Sequence, residues 1–160
     1  WWHKLSFFQH SLSDIKGQVL YLDLDVVIVN DITDMFDIPG DFKIIKDWML
    51  SKAHGQIKYN SSVMRFRVGS QPQIWDGFVK NKTRILQLYP GDQDWITESA
   101  RDITQWPENW CISYKWHKCW ESVPSPTKIV VFHGQPNPPE AISGYQSFPP
   151  APWIRNYWRS

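Results

Sequence analysis

A chain of 160 residues with a formal net charge of +1 at pH 7 has the size of one ordinary domain. It has no broad basic face for nucleic acid and no polybasic tract for anionic lipid. With 42% apolar residues it can bury a core, no low-complexity segment argues for disorder, and no apolar run reaches transmembrane length. Two cysteines, Cys111 and Cys119, are too few for a disulfide framework or for zinc, so the expected setting is reducing and cytoplasmic. The opening Trp1-Trp2-His3-Lys4 lacks both an initiator Met and the basic-then-apolar order of a signal peptide, so the chain reads as a piece of something longer.

Trp1, Leu5, Phe8 and Leu12 recur at helical spacing and predict an amphipathic helix over residues 1–12. After Gly17 comes an apolar, β-branched run, Val19 to Val29, broken by Asp23 and Asp25. Unpaired carboxylates are costly in a strand core. The run therefore predicts a buried strand, Val19 to Leu22, that delivers both acids at its carboxyl end, with Val26 to Val29 continuing extended. Asn30-Asp31 marks a turn and Ile32 to Phe36 a short helical turn. Phe42 to Ile45 and Tyr59 to Phe66 read as strands, with a loop between them over residues 48–57.

Ser70-Gln71-Pro72 predicts a helix start, and Ile74, Trp75, Phe78 and Val79 form its apolar face. Pro90-Gly91-Asp92 repeats this logic, with Asp92 as cap of a helix to about Arg101. Trp106 to Lys118 is aromatic and irregular or extended. Lys128 to Phe132 is a buried strand ending at His133-Gly134, and a Pro-rich tail from about residue 134 is expected to wrap the surface. Strands alternating with helices predict an α/β fold. Most of the 11 Trp are expected in core and rim packing, with stacking on sugar rings as the functional alternative. His3, His10, His54 and His117 lack partners at metal-ligand spacing.

Carboxylates at i and i+2 on extended backbone face one side, where they can share a hard divalent cation, Mn²⁺ or Mg²⁺. Two chemistries use such a strand-end pair. A haloacid-dehalogenase-type phosphatase opens with Asp-x-Asp, the first Asp attacking phosphorus. It also needs a late acidic pair, and no Asp-Asp occurs in this chain. A nucleotide-sugar glycosyltransferase uses the pair to hold a metal that neutralises the leaving diphosphate. His133, at the end of the late strand, would complete an Asp, Asp, His set that suits Mn²⁺.

Four blocks carry a family resemblance. Leu20-Tyr21-Leu22-Asp23-Leu24-Asp25, Tyr59-Asn60-Ser61-Ser62-Val63-Met64, Gly91-Asp92-Gln93-Asp94 and Phe132-His133-Gly134-Gln135-Pro136-Asn137-Pro138 stand in order along the chain. In them the sequence resembles the glycosyltransferases of the GT-A fold, specifically family 8 and related bacterial proteins. The resemblance implies a mixed sheet flanked by helices and a UDP-sugar or similar donor. It further implies a hexose passed to a hydroxyl acceptor, and retention at the anomeric carbon.

Carried over residue by residue, it implies metal ligation by Asp23, Asp25 and His133, beside Gly134. It implies donor-sugar contacts from Asn60, Asp92 and Gln93, with Asp92 and Gln93 nearest the reacting carbon. Asp47 would hold donor or acceptor hydroxyls, and Lys4 would lie near the donor phosphates. Two positions depart from the pattern: Asn137 stands where the family has a Lys that pairs the diphosphate, and Ser62 where a Gly is common. Only 22 residues precede Asp23. The chain is accordingly expected to be the C-terminal catalytic part of an incomplete GT-A-like domain that binds a nucleotide-sugar poorly by itself. The non-enzymatic alternative is a Trp-rich glycan-binding module.

Overall fold

The computed structural model describes residues 2–48 and 59–158. Trp1, and the loop expected beyond residue 48 with His54 and Gly55, lie outside them. The chain forms two compact units, residues up to Tyr21 together with Ile38–Gln105, and Leu22–Asp37 together with Trp106–Ser160. Both are α/β with mixed pairing, as the alternation of elements predicts.

The first unit is built on a four-stranded sheet in the order β1 (Gln18–Leu22), β4 (Tyr59–Arg67), β3 (Phe42–Lys46), β5 (Ile103–Gln105). Strand β3 runs antiparallel to β4 and parallel to β5. Leu5, Phe8, Phe42, Ile44, Met64, Phe66, Ile74 and Ile96 fill the core. The N-terminal segment is a 3₁₀ helix, Trp2–Phe8, rather than an α-helix reaching residue 12. Leu5 and Phe8, three apart, fall on one face at three residues per turn, and both are buried. Leu12 instead closes a bridge with Ile15.

Helix α2 (Pro72–Leu88) buries Ile74, Phe78 and Ile85, as the expected face requires, but leaves Val79 57% exposed. Helix α3 spans Asp92–Ser99 with Gly91 as N-cap. Asp92 is therefore not the cap; it is the first helical residue, and its Oδ1 accepts the N–H of Gln93 at 2.9 Å. Beneath the sheet Arg65 is 1% exposed. Its guanidinium donates to the carbonyls of Ile38 (2.9 Å) and Gly40, which ties the turn before β3 to β4. Burial lowers its pKa.

The run that carries Asp23 and Asp25 is not one buried strand. β1 is the half-buried edge of its sheet and ends at Leu22. A turn follows, with Leu24 at its 94%-exposed tip, before β2 (Val26–Ile28) begins. β2 pairs antiparallel with β7 (Ile129–Val131), and β7 pairs parallel with β6 (Cys111–Ser113). This three-stranded sheet is the centre of the second unit. A short helix, α1 (Asp34–Asp37), is fixed through Lys128, which donates to the Asp31 carbonyl at 2.6 Å and lies 3.2 Å from Asp34 Oδ2.

The Pro-rich tail does more than wrap the surface. It supplies α4 (Pro138–Ala141) and a 3₁₀ helix, Pro152–Asn156, and it places Ala141, Ala151 and Ile154 fully inside the second core. There Tyr114 stacks on Phe132 with centroids 4.4 Å apart. Proline fixes backbone torsion and suits the first turn of a helix, so composition alone did not exclude short helices here. Most described Trp pack against a core, as expected, whereas Trp116 stays 55% exposed.

Phe132→Ala removes a fully buried ring from the second unit and is expected to lower its unfolding free energy by about 3–5 kcal/mol. Val79→Ala in the first unit should stay within about 0.5 kcal/mol. Urea denaturation of both variants checks the contrast, and equal effects would contradict the packing described.

Candidate functional site

The first unit gathers four of the residues singled out for donor binding, around one backbone irregularity. Along the β3–β4 ladder Lys43 faces Arg65 and Ile45 faces Asn60, so the register advances two residues on β3 and five on β4. The extra residues bulge, and peptide groups there lose ladder partners that buried backbone requires. Side chains supply replacements. Ser61 N–H donates to Gln93 Oε1 at 3.0 Å, and Ser62 N–H donates to Asn60 Oδ1 at 2.9 Å. Lys4 Nζ donates to the Ser61 hydroxyl at 3.1 Å and its carbonyl at 3.3 Å, and lies 3.8 Å from Asp92 Oδ2. Lys4 also sits 5.2 Å from the Tyr21 ring centroid. Lys4 and Asp92 are about nine-tenths buried, an enclosure in which charge is weakly screened.

Sequence reasoning missed Ser61, the residue through which Lys4 and Gln93 meet. Its signal was its place beside Asn60 on a strand whose neighbours are buried and polar. Asp47 stands one residue past β3 and is half-buried.

The second unit holds the three residues assigned to metal. Asp23 follows β1, Asp25 closes the turn into β2, and His133 follows β7 by two residues. The backbone ties them: Phe132 N–H donates to the Asp25 carbonyl at 2.8 Å. His133 Nε2 lies 2.6 Å from the hydroxyl of Ser113, which is fully buried and also accepts the N–H of Trp116 at 3.2 Å. Such a bond is the usual way a metal-binding imidazole is oriented through its other nitrogen. Two carboxylates and an imidazole fit a divalent cation in donor type. Among the described residues, however, no three His, Cys, Asp or Glu side chains are gathered as a metal-holding group. The backbone thus brings Asp25 and His133 alongside, while the three side chains as they stand do not converge.

Gly134 has φ +70°. Lys115 Nζ lies 3.7 Å from where its Cβ would be, and donates to the His133 carbonyl at 2.7 Å. Burial lowers the Lys115 pKa, and the nearby Asp25 charge works against that shift. Asn137 and Glu140 form a capping box at the start of α4, with Asn137 N–H donating to Glu140 Oε2 at 2.7 Å. Asn137 is thus a helix cap where the resembling family has a diphosphate-pairing Lys.

No family model and no curated protein matches this sequence. Solved structures do match in fold. The galactosyltransferase LgtC in complex with donor and acceptor sugar analogues superposes with a TM-score of 0.66 at 14% identity, over 86% of this chain and 59% of that one. A Gln-to-Glu active-site mutant of LgtC matches with a TM-score of 0.66 at 11% identity, over 97% and 65%. The glycosyltransferase GlyE of Streptococcus pneumoniae TIGR4 matches with a TM-score of 0.59 at 14% identity, over 89% and 39%. The chain has a GT-A-like glycosyltransferase fold and spans less than two thirds of the length of these structures. Among the described residues no helix is long and apolar enough to cross a membrane.

Two predictions follow from this geometry. Gln93→Ala leaves the Ser61 N–H without its acceptor and is expected to cost about 1–3 kcal/mol of stability. Gln93→Glu keeps an acceptor oxygen and should cost clearly less. Thermal unfolding of the pair distinguishes them, and equal losses would deny the bond its role. Cys111 and Cys119 are buried free thiols. Burial raises the pKa of both, that of Cys119 to about 11. At pH 8 both should resist a disulfide reagent until the chain is unfolded in urea, and rapid labelling of either in the native protein would contradict their burial.

Proposed function

We propose that this chain is the catalytic part of a metal-dependent glycosyltransferase. It would move a hexose from a nucleoside-diphosphate sugar, UDP-linked in the first instance, to a hydroxyl acceptor, in the cytoplasm, where Cys111 and Cys119 stay reduced. The observation that carries this reading is the Lys4–Ser61–Gln93–Asp92 cluster. Four residues from three separate segments, three of them singled out for donor binding, meet through side-chain bonds within a fold shared with LgtC and GlyE. A glutamine lies in the active site of LgtC, which supports a similar place for Gln93. The phosphatase alternative lacks both a late acidic pair and this fold.

The residues divide the work by chemistry. Asp23, Asp25 and His133 would hold Mn²⁺ or Mg²⁺. Bound there, the cation would neutralise charge building on the leaving diphosphate. Asn60, Asp92 and Gln93 would hold the sugar hydroxyls, and Asp47 hydroxyls of donor or acceptor. Gln93 Oε1 is engaged by Ser61, so its amide would present Nε2 as a donor to the sugar. An amide is a weak nucleophile, which favours front-side attack. The bond from the anomeric carbon to the diphosphate breaks, the acceptor oxygen bonds on the same face, and the hydroxyl proton passes to the departing diphosphate. This course retains configuration.

Isothermal titration with Mn²⁺, with and without UDP, tests the reading. Mn²⁺ should bind, UDP should tighten it, and Asp25→Ala should abolish both responses. Binding unchanged by Asp25→Ala would remove the metal assignment. A chain that binds free glycans through its Trp residues but neither Mn²⁺ nor UDP would be a binding module instead.

A further inference from the structure

Among the described residues Trp116 is the one tryptophan that stays exposed, at 55%. It stands on the turn that follows β6, between Tyr114 and Cys119, both buried in the second core. We propose that the Trp116 indole is the platform on which a hexose ring of the acceptor stacks, so that the acceptor is a carbohydrate rather than any other hydroxyl compound. This rests on the transferase reading above and adds to it a substrate class and a residue outside all four sequence blocks.

The backbone that carries the ring is fixed. Trp116 N–H donates to the Ser113 hydroxyl at 3.2 Å, His117 N–H to the Ser113 carbonyl at 3.1 Å, and Cys119 N–H to the Tyr114 carbonyl at 2.9 Å. Lys115 Nζ fastens the same turn to the His133 carbonyl at 2.7 Å. An exposed ring on a fixed backbone loses little freedom when a ligand covers it. The indole is also unspent. Trp95 and Trp153 donate their Nε1–H to the carbonyls of Ile74 and Cys119, whereas among the described residues that of Trp116 has no acceptor and no ring packs on its face. A flat apolar face with one N–H at its rim matches a pyranose, whose C–H face is apolar and whose edge hydroxyls accept hydrogen bonds. The place fits the reaction as well: the hydroxyl that accepts the Trp116 N–H lies 2.6 Å from His133 Nε2. The patch is too small for a protein partner. His117 and Lys118 beside it are exposed and polar, and one aromatic side chain offers about 150–250 Å², against the roughly 800 Å² per partner of a stable interface.

The test is an NMR titration of the chain with its tryptophan indoles labelled with ¹⁵N, the Trp116 signal being assigned by its loss in Trp116→Phe. The probes are the methyl glycosides of glucose, galactose, mannose and N-acetylglucosamine, with uridine as the nucleoside control. At least one glycoside is expected to move the Trp116 signal. In saturation-transfer titrations Trp116→Ala should weaken that glycoside at least about ten-fold, the loss of one stacked ring. Trp116→Phe should retain most of the affinity, and both variants should bind Mn²⁺ and UDP as the wild-type chain does. A Trp116 signal that no glycoside moves, or wild-type glycoside affinity in Trp116→Ala, overturns the platform, and binding of Mn²⁺ and UDP then leaves the transferase reading standing. A signal moved by uridine and by no glycoside gives the ring to the nucleoside and overturns it too. Glycoside binding through Trp116 in a chain that binds neither Mn²⁺ nor UDP overturns the acceptor role together with the transferase reading. If Trp116→Ala does not fold, the wild-type signal decides.

Discussion

The first unit depends on a shortage of backbone partners. Where the β3–β4 ladder slips, the buried Ser61 and Ser62 N–H groups bond to side chains, and a buried N–H left unmade costs as much as several good contacts return. The chain answers with Gln93 from α3 and Asn60 from β4 itself, and Lys4 then bonds the same serine from the N-terminal 3₁₀ helix. One defect in a sheet therefore recruits three elements and concentrates their polar side chains in one enclosure. Sites built this way are rigid for a structural reason. The groups that would hold a ligand are already fixed by the need to satisfy the backbone.

The second unit reaches its arrangement by a different route. Its central strand β7 is apolar throughout, flanked by β2 and β6, and chemistry gathers where those strands stop. Ser113 ends β6, His133 lies just past β7, and Asp25 lies just before β2. Because β2 runs antiparallel to β7, its start and the end of β7 lie side by side, and the Phe132–Asp25 hydrogen bond follows from that register. Candidate ligand groups just beyond strand ends are the arrangement familiar from open α/β sheets, here met in a mixed sheet.

Much of this was legible in the residues. Strands β3, β4 and β7 and helices α2 and α3 follow apolar periodicity, whose physical basis is local, and the order of four short blocks pointed to the fold. What was not legible depends on contacts distant in sequence. β1 reads as buried because Val19 to Leu22 are apolar, yet it is a sheet edge, a fact of topology rather than of composition. Asp92 resembles a cap by its neighbours, but Gly91 takes that place and frees the carboxylate to face Lys4. Lys115 is placed by a contact distant in sequence, its ammonium donating to the carbonyl of His133, 18 positions further along the chain.

The two units are interleaved rather than consecutive: the second begins at Leu22, is interrupted by the whole of Ile38–Gln105, and resumes at Trp106. On a ribosome this sets an order of events. The first unit's sheet has all its strands once Gln105 has emerged, whereas Val26 must wait for Val131, 105 positions later, and the core around them waits for Ile154. Until then Val26 and Val27 travel as an unpaired apolar strand in the middle of a partly finished protein, the kind of segment that invites wrong pairing. Synthesis that stalls between these points would yield one folded unit with a sticky loop. For this chain the stretch from Ile129 to Ile154 thus decides whether the apolar strand made early is ever covered.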